Sequence, residues 1–550
     1  MRSRCNWCPD VGRALRNAPA LPLALALAGP AAAQGVLHCP DAVLGAAEPD
    51  AGAWFGAELA LDGGLLAVSS PHANPGGGVA TGPATVEVLR HAGGGAWTIL
   101  ATLELPPPSG SSSFGRSVAV SDPLVAVGMP TQGGSGAAYV FSQVGGWVLE
   151  DELLPPEPSQ GDAFGTAVDV DGEHLAVGAP WEDAPQPASG GAYIFRRTGS
   201  GAFVATAALH PPDPAEEDFF GQGVALDAGL LAVARPGDRF GSVHLYVLGA
   251  EGWVEEAKLA AVDVHWSSAI ALDAGRLVVG VPDDSAQGFL SGSVLVYRRV
   301  SPGAWQFEAR LLAEDGAAGD AFGTSVSISG ELVAVGAPWN DGGGAANGAA
   351  YLFERGPSGW VQRSKLIPNV VSGGGRLGDS IALDGQSIVG GLPHTDEPEA
   401  LNVGAALAFD VALALAPPAL QGCPAELSVS AGGTHGMYLG LEPEYATYLY
   451  LLLGSASGTA PGFAVDGVHV PLALDAYTAF TAAQPNQAPL LGTFGVLDPH
   501  GDATLQLAVP AGTSATLAGV SLHHATLAFD LFSGGVVEVA TNPVSVSLVR

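Results

Sequence analysis

Hydrophobic and polar positions alternate in short runs along most of the chain, most clearly in residues 164–180, which read FGTAVDVDGEHLAVGAP. Val168 and Val170 alternate with acidic residues, as in a strand with one buried face. An Asp-Gly pair at 171–172 separates this run from the apolar run at 175–177, and such a pair is a strong hairpin signal. The pattern predicts two antiparallel strands that end at a Gly-Ala-Pro turn.

Two further runs complete this unit. A third predicted strand ends in the aromatic pair Tyr193 and Phe195, and a fourth begins at Phe203. Four short strands per unit are typical of a propeller blade. The counterparts of Phe203 in other units are Trp97, Trp147, Trp253, Trp305 and Trp360.

The unit recurs along the chain, and its two clearest copies begin at Gly161 and Gly319. Neighbouring copies are separated by 47 residues between Phe220 and Ser267 and by 59 residues between Phe55 and Phe114. This period is close to the size of one propeller blade. The seven copies stand at Phe55-Gly56, Phe114-Gly115, Phe164-Gly165, Phe220-Gly221, Ser267-Ser268, Phe322-Gly323 and Leu377-Gly378.

The seventh unit lacks a fourth strand, because the chain runs from Phe409 into Pro417-Pro418 without another aromatic-led run. The run from Val36 to Leu44 precedes the first unit and has no strands of its own to pair with. We therefore predict an all-β chain in which a seven-bladed β-propeller spans residues 34–418. The N-terminal strand completes the last blade and removes the exposed edges of an open ring. Residues 419–550 lose the repeat but keep short alternating runs, which predict a C-terminal β-sandwich.

The units resemble the FG-GAP repeats of the integrin alpha-subunit propeller and of many secreted bacterial proteins, from about Val36 to Leu415. The resemblance is weakest in the fourth unit, where Ala234-Arg235-Pro236 stands in place of Gly-Ala-Pro. It implies an aromatic ring packed between neighbouring blades and a glycine that lets their backbones approach. The expected blade-packing residues are Phe55, Phe114, Phe164, Phe220 and Phe322.

Integrin-like units often bind calcium between the first and second strands, but this chain has only tight turns there, such as Asp171-Gly172. One carboxylate on a tight turn supplies too few oxygens for calcium, so hairpin formation is the better explanation. Acidic residues also follow the Gly-Ala-Pro turns, in loops that should gather on one rim. We expect a solvated acidic rim, with weak calcium binding as the alternative. The candidate ligands are Asp183, Asp283, Asp284 and Asp341, joined by Asp162 and Asp320 if the connections lie close.

The balance of charge narrows the choice of partner. Acidic residues outnumber basic ones by 54 to 20, giving a formal charge of −34, which would repel a nucleic acid backbone. Residues 1–33 are typical of an export signal, with arginines before the apolar stretch Ala18 to Ala28 and small residues at 31–33. No segment offers the roughly 20 apolar residues that a membrane span needs. We expect a monomeric secreted or cell-surface protein.

Two of the four cysteines leave with the predicted signal, and Cys39 and Cys423 remain. The first would lie in the closing strand and the second shortly after the last blade. A disulfide between them would persist in an exported protein and would lock the ring. Two unpaired thiols are the alternative.

A search for catalytic motifs gives no nucleophile elbow, phosphate-binding loop or His-Glu-x-x-His sequence. The adjacent His523 and His524 should point to opposite faces of a strand, which disfavours joint metal binding. His72 and His394 lie in corresponding loops of the first and seventh units and form a further candidate pair.

These observations favour a binding or adhesion protein whose rim loops bind an extracellular protein or a glycan. A calcium-stabilised structural protein of the cell envelope is the first alternative. A polysaccharide-acting enzyme is the second, because a fold does not determine a function.

Overall fold

The structure is a computed structural model of the chain. It describes residues 37–549 except 39, 48–51, 72–82, 94, 106–112, 184, 239, 261–268, 341–346, 369–373, 396–401, 415–419, 424–425, 429–432, 441–447, 457–462, 466–467, 471, 473–480, 483–489, 492–493, 497–501, 510–520, 531–535 and 541–543. Pro40–Leu415 forms one compact unit, and Met1–Cys39 with Ala416–Arg550 forms a second.

The first unit is a seven-bladed β-propeller, which confirms the predicted architecture. Within each blade the strands follow one another as an antiparallel meander, and the first strand lines a central channel. Blades 1 to 3 consist of Leu59–Asp62, Leu65–Ser70, Thr85–Gly93 and Ala96–Leu103; of Ser117–Ser121, Leu124–Met129, Ala137–Gln143 and Trp147–Leu153; and of Ala167–Asp171, His174–Ala179, Gly191–Arg197 and Phe203–Leu209.

The remaining blades repeat this order with small changes in strand length. A two-residue strand, Leu37–His38, precedes the propeller in the chain, the 3₁₀ helix Gln132–Gly134 lies in blade 2, and the helix Val411–Ala414 ends the unit. Blades 4 to 7 consist of Val224–Asp227, Leu230–Arg235, Ser242–Gly249 and Gly252–Ala260; of Ile270–Asp273, Arg276–Val281, Ser293–Ser301 and Ala304–Leu311; of Val326–Ser329, Leu332–Ala337, Ala349–Gly356 and Gly359–Leu366; and of Ile381–Leu383, Ser387–Leu392 and Ala405–Asp410.

The outer position of blade 7 is taken by the strand Ala42–Leu44, which pairs antiparallel with Ala405–Asp410. Next to it, the Asp41 amide donates to the Ala408 carbonyl at 2.8 Å, and the Asp410 amide donates to the Asp41 carboxylate at 2.6 Å. The pairing strand is shorter than the Val36 to Leu44 run and lies at its C-terminal end. The first residues of the propeller therefore complete its last sheet.

The second strand of each blade is the most deeply buried, because it has neighbours on both sides within its sheet and a sheet against each face. All six residues of Leu65–Ser70 and of Leu124–Met129 are buried. The fourth strands lie at the outside and keep one exposed face, as in Trp147–Leu153. This gradient explains why the second strands appear in the sequence as continuous apolar runs and the fourth strands as mixed ones.

Phe164 shows how an aromatic ring fills the space between two blades. Its side chain is fully buried and belongs to a cluster that joins Ala138 and Leu153 of blade 2 to blade 3. Its ring centroid lies 5.6 Å from that of Tyr193 and 6.0 Å from that of Phe195. The other predicted rings are buried in the same way, with exposed fractions of 0% for Phe55, 2% for Phe114, 0% for Phe220 and 0% for Phe322.

Among the described residues, backbone contacts that require glycine accompany four of these five rings. The Phe164 amide donates to the Ser135 carbonyl at 2.9 Å, and Phe164 forms a parallel bridge with Gly136 of blade 2. A Cβ atom on Gly136 would overlap the Phe164 carbonyl oxygen, and one on Gly178 would overlap that of Gly221 in blade 4. Equivalent bridges join Phe55 to Gly404, Phe220 to Gly190, Phe322 to Gly292 and Leu377 to Gly348.

At the opposite end, the turn between the first two strands of one blade binds the corresponding turn of the next. The Asp171 carboxylate accepts the Ala228 amide at 2.8 Å, and the Asp227 carboxylate accepts the Ala274 amide at 2.9 Å. The Asp of the Asp-Gly turn therefore has a role that hairpin formation alone does not explain. Among the described residues, further bonds of this kind run from the Asp122 amide to Asp62, from Gly172 to Ser121, from Gly330 to Asp273 and from Gly64 to Asp384.

The degenerate turn of the fourth unit has a structural explanation. Arg235, which replaces the small residue of Gly-Ala-Pro, is 2% exposed and binds the carboxylates of Asp218 at 2.6 Å and Asp213 at 2.7 Å. The buried guanidinium is therefore paired with a buried carboxylate, Asp218, and with the largely exposed carboxylate of Asp213, and such pairing is the condition under which a buried charge is tolerated.

The C-terminal unit is also built from strands. Met437 and Leu439 are buried on one strand, and Leu505, which lies opposite Met437, and Leu507 are buried on the strand that pairs with it. The face-to-face packing of a sandwich stays a prediction. One sheet contains Leu420–Cys423, Gly433–Gly440, Asp502–Val509 and Leu490–Leu491; a second contains Glu426–Ser428, Val544–Val549, Ser521–Asp530, Leu449–Ser455, Phe494–Val496 and Val536–Ala540; and Phe463–Val465 pairs with Val468–Val470.

The predicted export signal, the predicted disulfide and the expected absence of a membrane span remain to be compared with the structure. The predicted signal, residues 1–33, and Cys39 lie outside the described residues, so the signal and the Cys39–Cys423 disulfide stay predictions. Within the described ranges, no helix combines the length and the apolar character required to cross a bilayer.

The packing of Phe164 leads to a stability prediction. Phe164→Ala should lower the free energy of unfolding by about 3–5 kcal/mol, because it opens a cavity between two blades. Urea unfolding followed by tryptophan fluorescence measures this change. Phe289→Ala is the matched control, because its side chain is 74% exposed, and it should change stability by less than about 0.5 kcal/mol. Equal midpoints for Phe164→Ala and the wild type would contradict the packing role.

Candidate functional site

Two sets of loops gather at one end of the propeller. In an antiparallel meander, the loop between the second and third strands lies at the same end as the loop that enters the next blade. The parallel bridges described above join these two kinds of loop across neighbouring blades. We call this end the loop face, and the end with the Asp-Gly turns the hairpin face.

The predicted metal ligands do not form one cluster among the residues that the structure describes. Asp284 is 5% exposed and binds the Arg310 guanidinium and the Ser293 hydroxyl, so its charge is already neutralised. Asp183 is exposed and accepts the Ala188 amide at 3.0 Å, and Asp283 is exposed. Asp341 lies outside the described residues. Within the described part of the chain, no three acidic, histidine or cysteine side chains converge in a geometry suited to a metal.

Asp162 and Asp320 do not join the acidic rim, because both are 3% exposed and serve their own loops. The Asp162 carboxylate accepts the Ser159 amide at 2.7 Å, and that of Asp320 accepts the Ala317 amide at 2.9 Å. Asp320 also accepts the Asn340 side-chain amide at 2.9 Å, which ties the two loops of the loop face together. These acidic residues hold the shape of the loop face rather than contributing charge to its surface.

Glu182, which follows the Gly-Ala-Pro turn of blade 3, is bound by two side chains. The Tyr193 hydroxyl donates to it at 2.8 Å, and His210 Nε2 lies 3.0 Å from its other oxygen. The hydrogen bond with Glu182 raises the pKa of His210, while burial opposes that shift. Burial and the nearby carboxylate raise the pKa of the Tyr193 hydroxyl.

Aromatic side chains on the loop face form contacts that the sequence analysis did not predict. Trp181 is 51% exposed, and its ring centroid lies 4.9 Å from that of Phe219. Trp339 is 47% exposed, and the Arg376 guanidinium lies 3.9 Å from its ring centroid. Both tryptophans directly follow a Gly-Ala-Pro turn, a signal visible in the sequence. Their partners each directly precede the aromatic-Gly or Leu-Gly pair of the next unit.

The partner residues have an unusual backbone conformation. Phe219 has φ of 53°, Arg376 of 59° and Trp54 of 57°, although none of them is glycine. Left-handed backbone at such residues is costly and persists where the surrounding structure enforces it. In this propeller the left-handed conformation recurs at the residue that contacts the loop between the second and third strands of the preceding blade.

His394 occupies the position of these tryptophans in blade 7. Its ring centroid lies 5.0 Å from that of Trp54, and its Nε2 lies 3.2 Å from Arg376 and 3.6 Å from the Asp379 carboxylate. The other member of the predicted pair, His72, lies outside the described residues. The structure therefore places His394 in a cluster of aromatic and charged side chains on the loop face.

The remaining histidine prediction concerns the C-terminal unit. His524 is fully buried and His523 is half-buried on the strand Ser521–Asp530, so the two side chains leave opposite faces of the sheet.

The central channel opens on the loop face through a ring of polar side chains. Arg116 Nη1 binds the Glu58 carboxylate at 3.2 Å. Burial raises the pKa of Glu58 to about 7 and that of Asp379 to about 6. The cavity at this mouth has a volume of about 290 Å³, and its rim also includes Thr166, Gln222 and Thr324.

Towards the hairpin face the channel contains a cavity of about 410 Å³, which the first strands of all seven blades line. Asp169 lies in this wall, and its two carboxylate oxygens accept the Leu226 amide at 2.6 Å and the Val170 amide at 2.9 Å. Burial raises the pKa of the Asp169 carboxyl to about 7, although both hydrogen bonds oppose that shift.

The raised pKa of Asp169 predicts a pH dependence of stability. An Asp carboxyl in the unfolded chain titrates near pH 4, so on raising the pH the unfolded state loses this proton before the folded state does. Stability should therefore fall between about pH 4 and about pH 7, and Asp169→Asn should flatten that fall. Urea unfolding at a series of pH values tests this. Parallel pH curves for the variant and the wild type would contradict it.

Comparison with known proteins agrees with the repeat architecture. The FG-GAP repeat family model matches residues 147–195 and 305–353, each of which runs from the outer strand of one blade into the third strand of the next. A comparison with curated protein sequences gave no match.

Two similar solved structures are distant in sequence. A Lactobacillus plantarum protein is 14% identical, with a TM-score of 0.38, and the match covers 57% of this chain and 85% of that one. Chaetomium thermophilum Sqt1, bound to the N-terminus of a ribosomal protein, is 15% identical, with a TM-score of 0.38 and coverage of 64% and 83%. Neither likeness bears on function. The repeats and the seven sheets together identify the chain as an FG-GAP β-propeller protein.

Proposed function

We propose that this is a secreted or cell-surface binding and adhesion protein whose loop face binds an extracellular protein or a glycan. The observation that carries the proposal is the pair of half-exposed tryptophans, Trp181 and Trp339, at equivalent positions of blades 3 and 6. Tryptophan is enriched among the residues that dominate binding energy, and its ring stacks on both apolar groups and sugar faces.

The setting of these rings supports a binding role. Each tryptophan contacts a residue of the next blade, since Phe219 packs against Trp181 and the Arg376 guanidinium lies over the ring of Trp339, so its orientation is largely fixed before a partner arrives. Fixing a side chain in advance lowers the entropy lost on binding. Phe289, on the corresponding loop of blade 5, adds a third ring that is 74% exposed.

Charge and export limit the class of partner. With a net charge of −34, the protein favours neutral or cationic surfaces and disfavours nucleic acids. Export, argued from residues 1–33 alone, would bring the loop face into contact with extracellular proteins and polysaccharides.

We also infer that the two larger sheets of the C-terminal unit pack as a sandwich. In the strand Gly433–Gly440, Met437 and Leu439 are buried two residues apart, and the paired strand Asp502–Val509 buries Leu505 and Leu507 at the same spacing. A sheet with one apolar face needs a cover, and the second sheet is the obvious candidate.

The proposed function predicts the effect of removing the rings. The double variant Trp181→Ala and Trp339→Ala should lose at least about tenfold in affinity for a partner found on protein and glycan arrays, because such anchors typically contribute more than 1 kcal/mol each. Biolayer interferometry with the purified partner measures the loss.

Phe307→Ala is the matched control, because Phe307 is 56% exposed on an outer strand of blade 5 and should leave binding unchanged. Equal loss in both variants would contradict a role for the loop face. Turnover of a retained polysaccharide would instead favour the enzyme alternative. A melting temperature that rises on adding calcium and falls with EDTA would favour the calcium-stabilised structural protein.

A further inference from the structure

The two lysines of the chain occupy the same place in two different blades. Lys258 lies opposite His244 in the fourth strand of blade 4, and Lys365 lies opposite Tyr351 in the fourth strand of blade 6. His244 and Tyr351 are each the third residue after the glycine that opens the third strand, Gly241 or Gly348.

Both ammonium groups bind an Asp at an equivalent position in the loop that enters their blade. Lys365 Nζ lies 2.5 Å from the Asp315 carboxylate, which also accepts the Tyr351 hydroxyl at 2.9 Å. Lys258 Nζ lies 3.3 Å from the Asp213 carboxylate and 2.9 Å from that of Asp238. Asp315 stands five residues before Asp320. Asp213 stands five residues before Asp218, which is the counterpart of Asp320 in blade 4. The repeat therefore contains a position built for an ammonium group, with an acidic residue and an aromatic or imidazole ring around it.

Blade 5 fills the same position with another cation. Arg310 lies opposite Leu295, the third residue after Gly292, and its guanidinium binds Asp284. The three neighbouring blades 4, 5 and 6 thus each supply a positive side chain from the same point of the fourth strand.

Blade 3 keeps the acidic and aromatic members of this arrangement but lacks the cation. Tyr193 stands in the place of Tyr351, and Glu157, five residues before Asp162, stands in the place of Asp315. The residue opposite Tyr193 in the fourth strand is Ala208. The methyl group of Ala208 leaves open the space that a lysine side chain occupies in blade 6.

A cavity of about 440 Å³ lies at this point. Tyr193, Ala208, Glu157 and Glu182 line it, and Pro156 and Pro185 add apolar walls. A lining that combines apolar walls with carboxylates suits an alkyl chain that ends in a positive charge.

We propose that the cavity of blade 3 binds an alkylammonium group, such as a lysine side chain of a partner protein or a free amine, in the position that Lys365 occupies in blade 6. The ligand would bring the charge that blade 3 does not carry itself. This inference goes beyond the proposed function, because the cavity can bind an amine whether or not the tryptophans bind a partner.

His210 makes this binding depend on pH. Its Nε2 faces Glu182, and Glu157 and Tyr193 line the same cavity. When protonated, His210 neutralises Glu182 and repels a second cation, so the amine competes with a proton. The hydrogen bond with Glu182 raises the pKa of His210, which favours this competition at mildly acidic pH. Binding should therefore strengthen as the pH rises.

Calorimetric titration of the full chain with Nα-acetyl-lysine methylamide tests the proposal, with the norleucine analogue as the uncharged match. We expect the lysine compound to bind at least about tenfold more tightly than the norleucine compound, and more tightly at about pH 8 than at about pH 5.5. Equal affinity of the two compounds would overturn the proposal. A parallel titration with n-butylamine identifies the source. Similar affinity favours a free amine, and weaker affinity favours a polypeptide lysine.

Ala208→Lys should fill the cavity from within, abolish binding of the lysine compound and raise the melting temperature. Ala205→Lys is its control, because it adds the same charge to the same strand opposite Phe195 and should leave binding intact. Unchanged affinity in Ala208→Lys, or equal loss in both variants, would overturn the proposal.

A second pair of variants keeps the test decisive if Ala208→Lys does not fold. Glu157→Gln should weaken binding by about tenfold, whereas Glu173→Gln, on the hairpin face of the same blade and 65% exposed, should not. Full affinity in Glu157→Gln would count against the site. Trp181→Ala and Trp339→Ala should leave amine binding unchanged, so failure of the proposed function and failure of this inference give different results.

Discussion

Close backbone contact between neighbouring sheets is the constraint on which the rest of this structure depends. At the five blade boundaries where the structure describes both partners, a glycine of one blade, such as Gly136, forms a backbone bridge with the Phe or Leu of the next Phe-Gly or Leu-Gly pair, such as Phe164. The distance leaves no room for a Cβ atom on that glycine. A buried aromatic ring, or the Leu377 side chain between blades 6 and 7, fills the space behind this contact, and an Asp or Ser on the hairpin face closes the other end. Because the contact fixes each sheet relative to the next, it also fixes which loops share a face.

The sequence predicts the fold well because its strongest signals are local. An Asp-Gly turn, a run such as Leu175 to Val177 and a Phe-Gly pair each specify a short stretch of backbone, and their repetition gives the number of sheets. The extent of the closing strand is less predictable. The apolar run from Val36 to Leu44 does not reveal that only Ala42–Leu44 pairs with the last sheet, since that depends on geometry fixed elsewhere in the ring.

The functional surface is harder to predict, because it depends on side chains that are distant in sequence. Asp284 is a plausible metal ligand until Arg310 is seen bound to it. Asp162 and Asp320 are acidic in sequence, but their carboxylates accept backbone hydrogen bonds within their own loops. Trp181 and Trp339, in contrast, stand at the same position of the two clearest repeats, and comparing the residues that follow Gly-Ala-Pro would have found them.

The closing strand also has a kinetic consequence. The hydrogen bond between Asp41 and Asp410 joins residues 369 positions apart, while contacts within each blade join residues that are near neighbours in the chain. The entropy of closing so long a loop grows only logarithmically with its length, so the equilibrium penalty is modest. Contacts of high sequence separation nevertheless slow folding. Single sheets can form early, but the last of them keeps an unpaired edge until both ends of the ring have met, and during that interval it is exposed to intermolecular strand pairing.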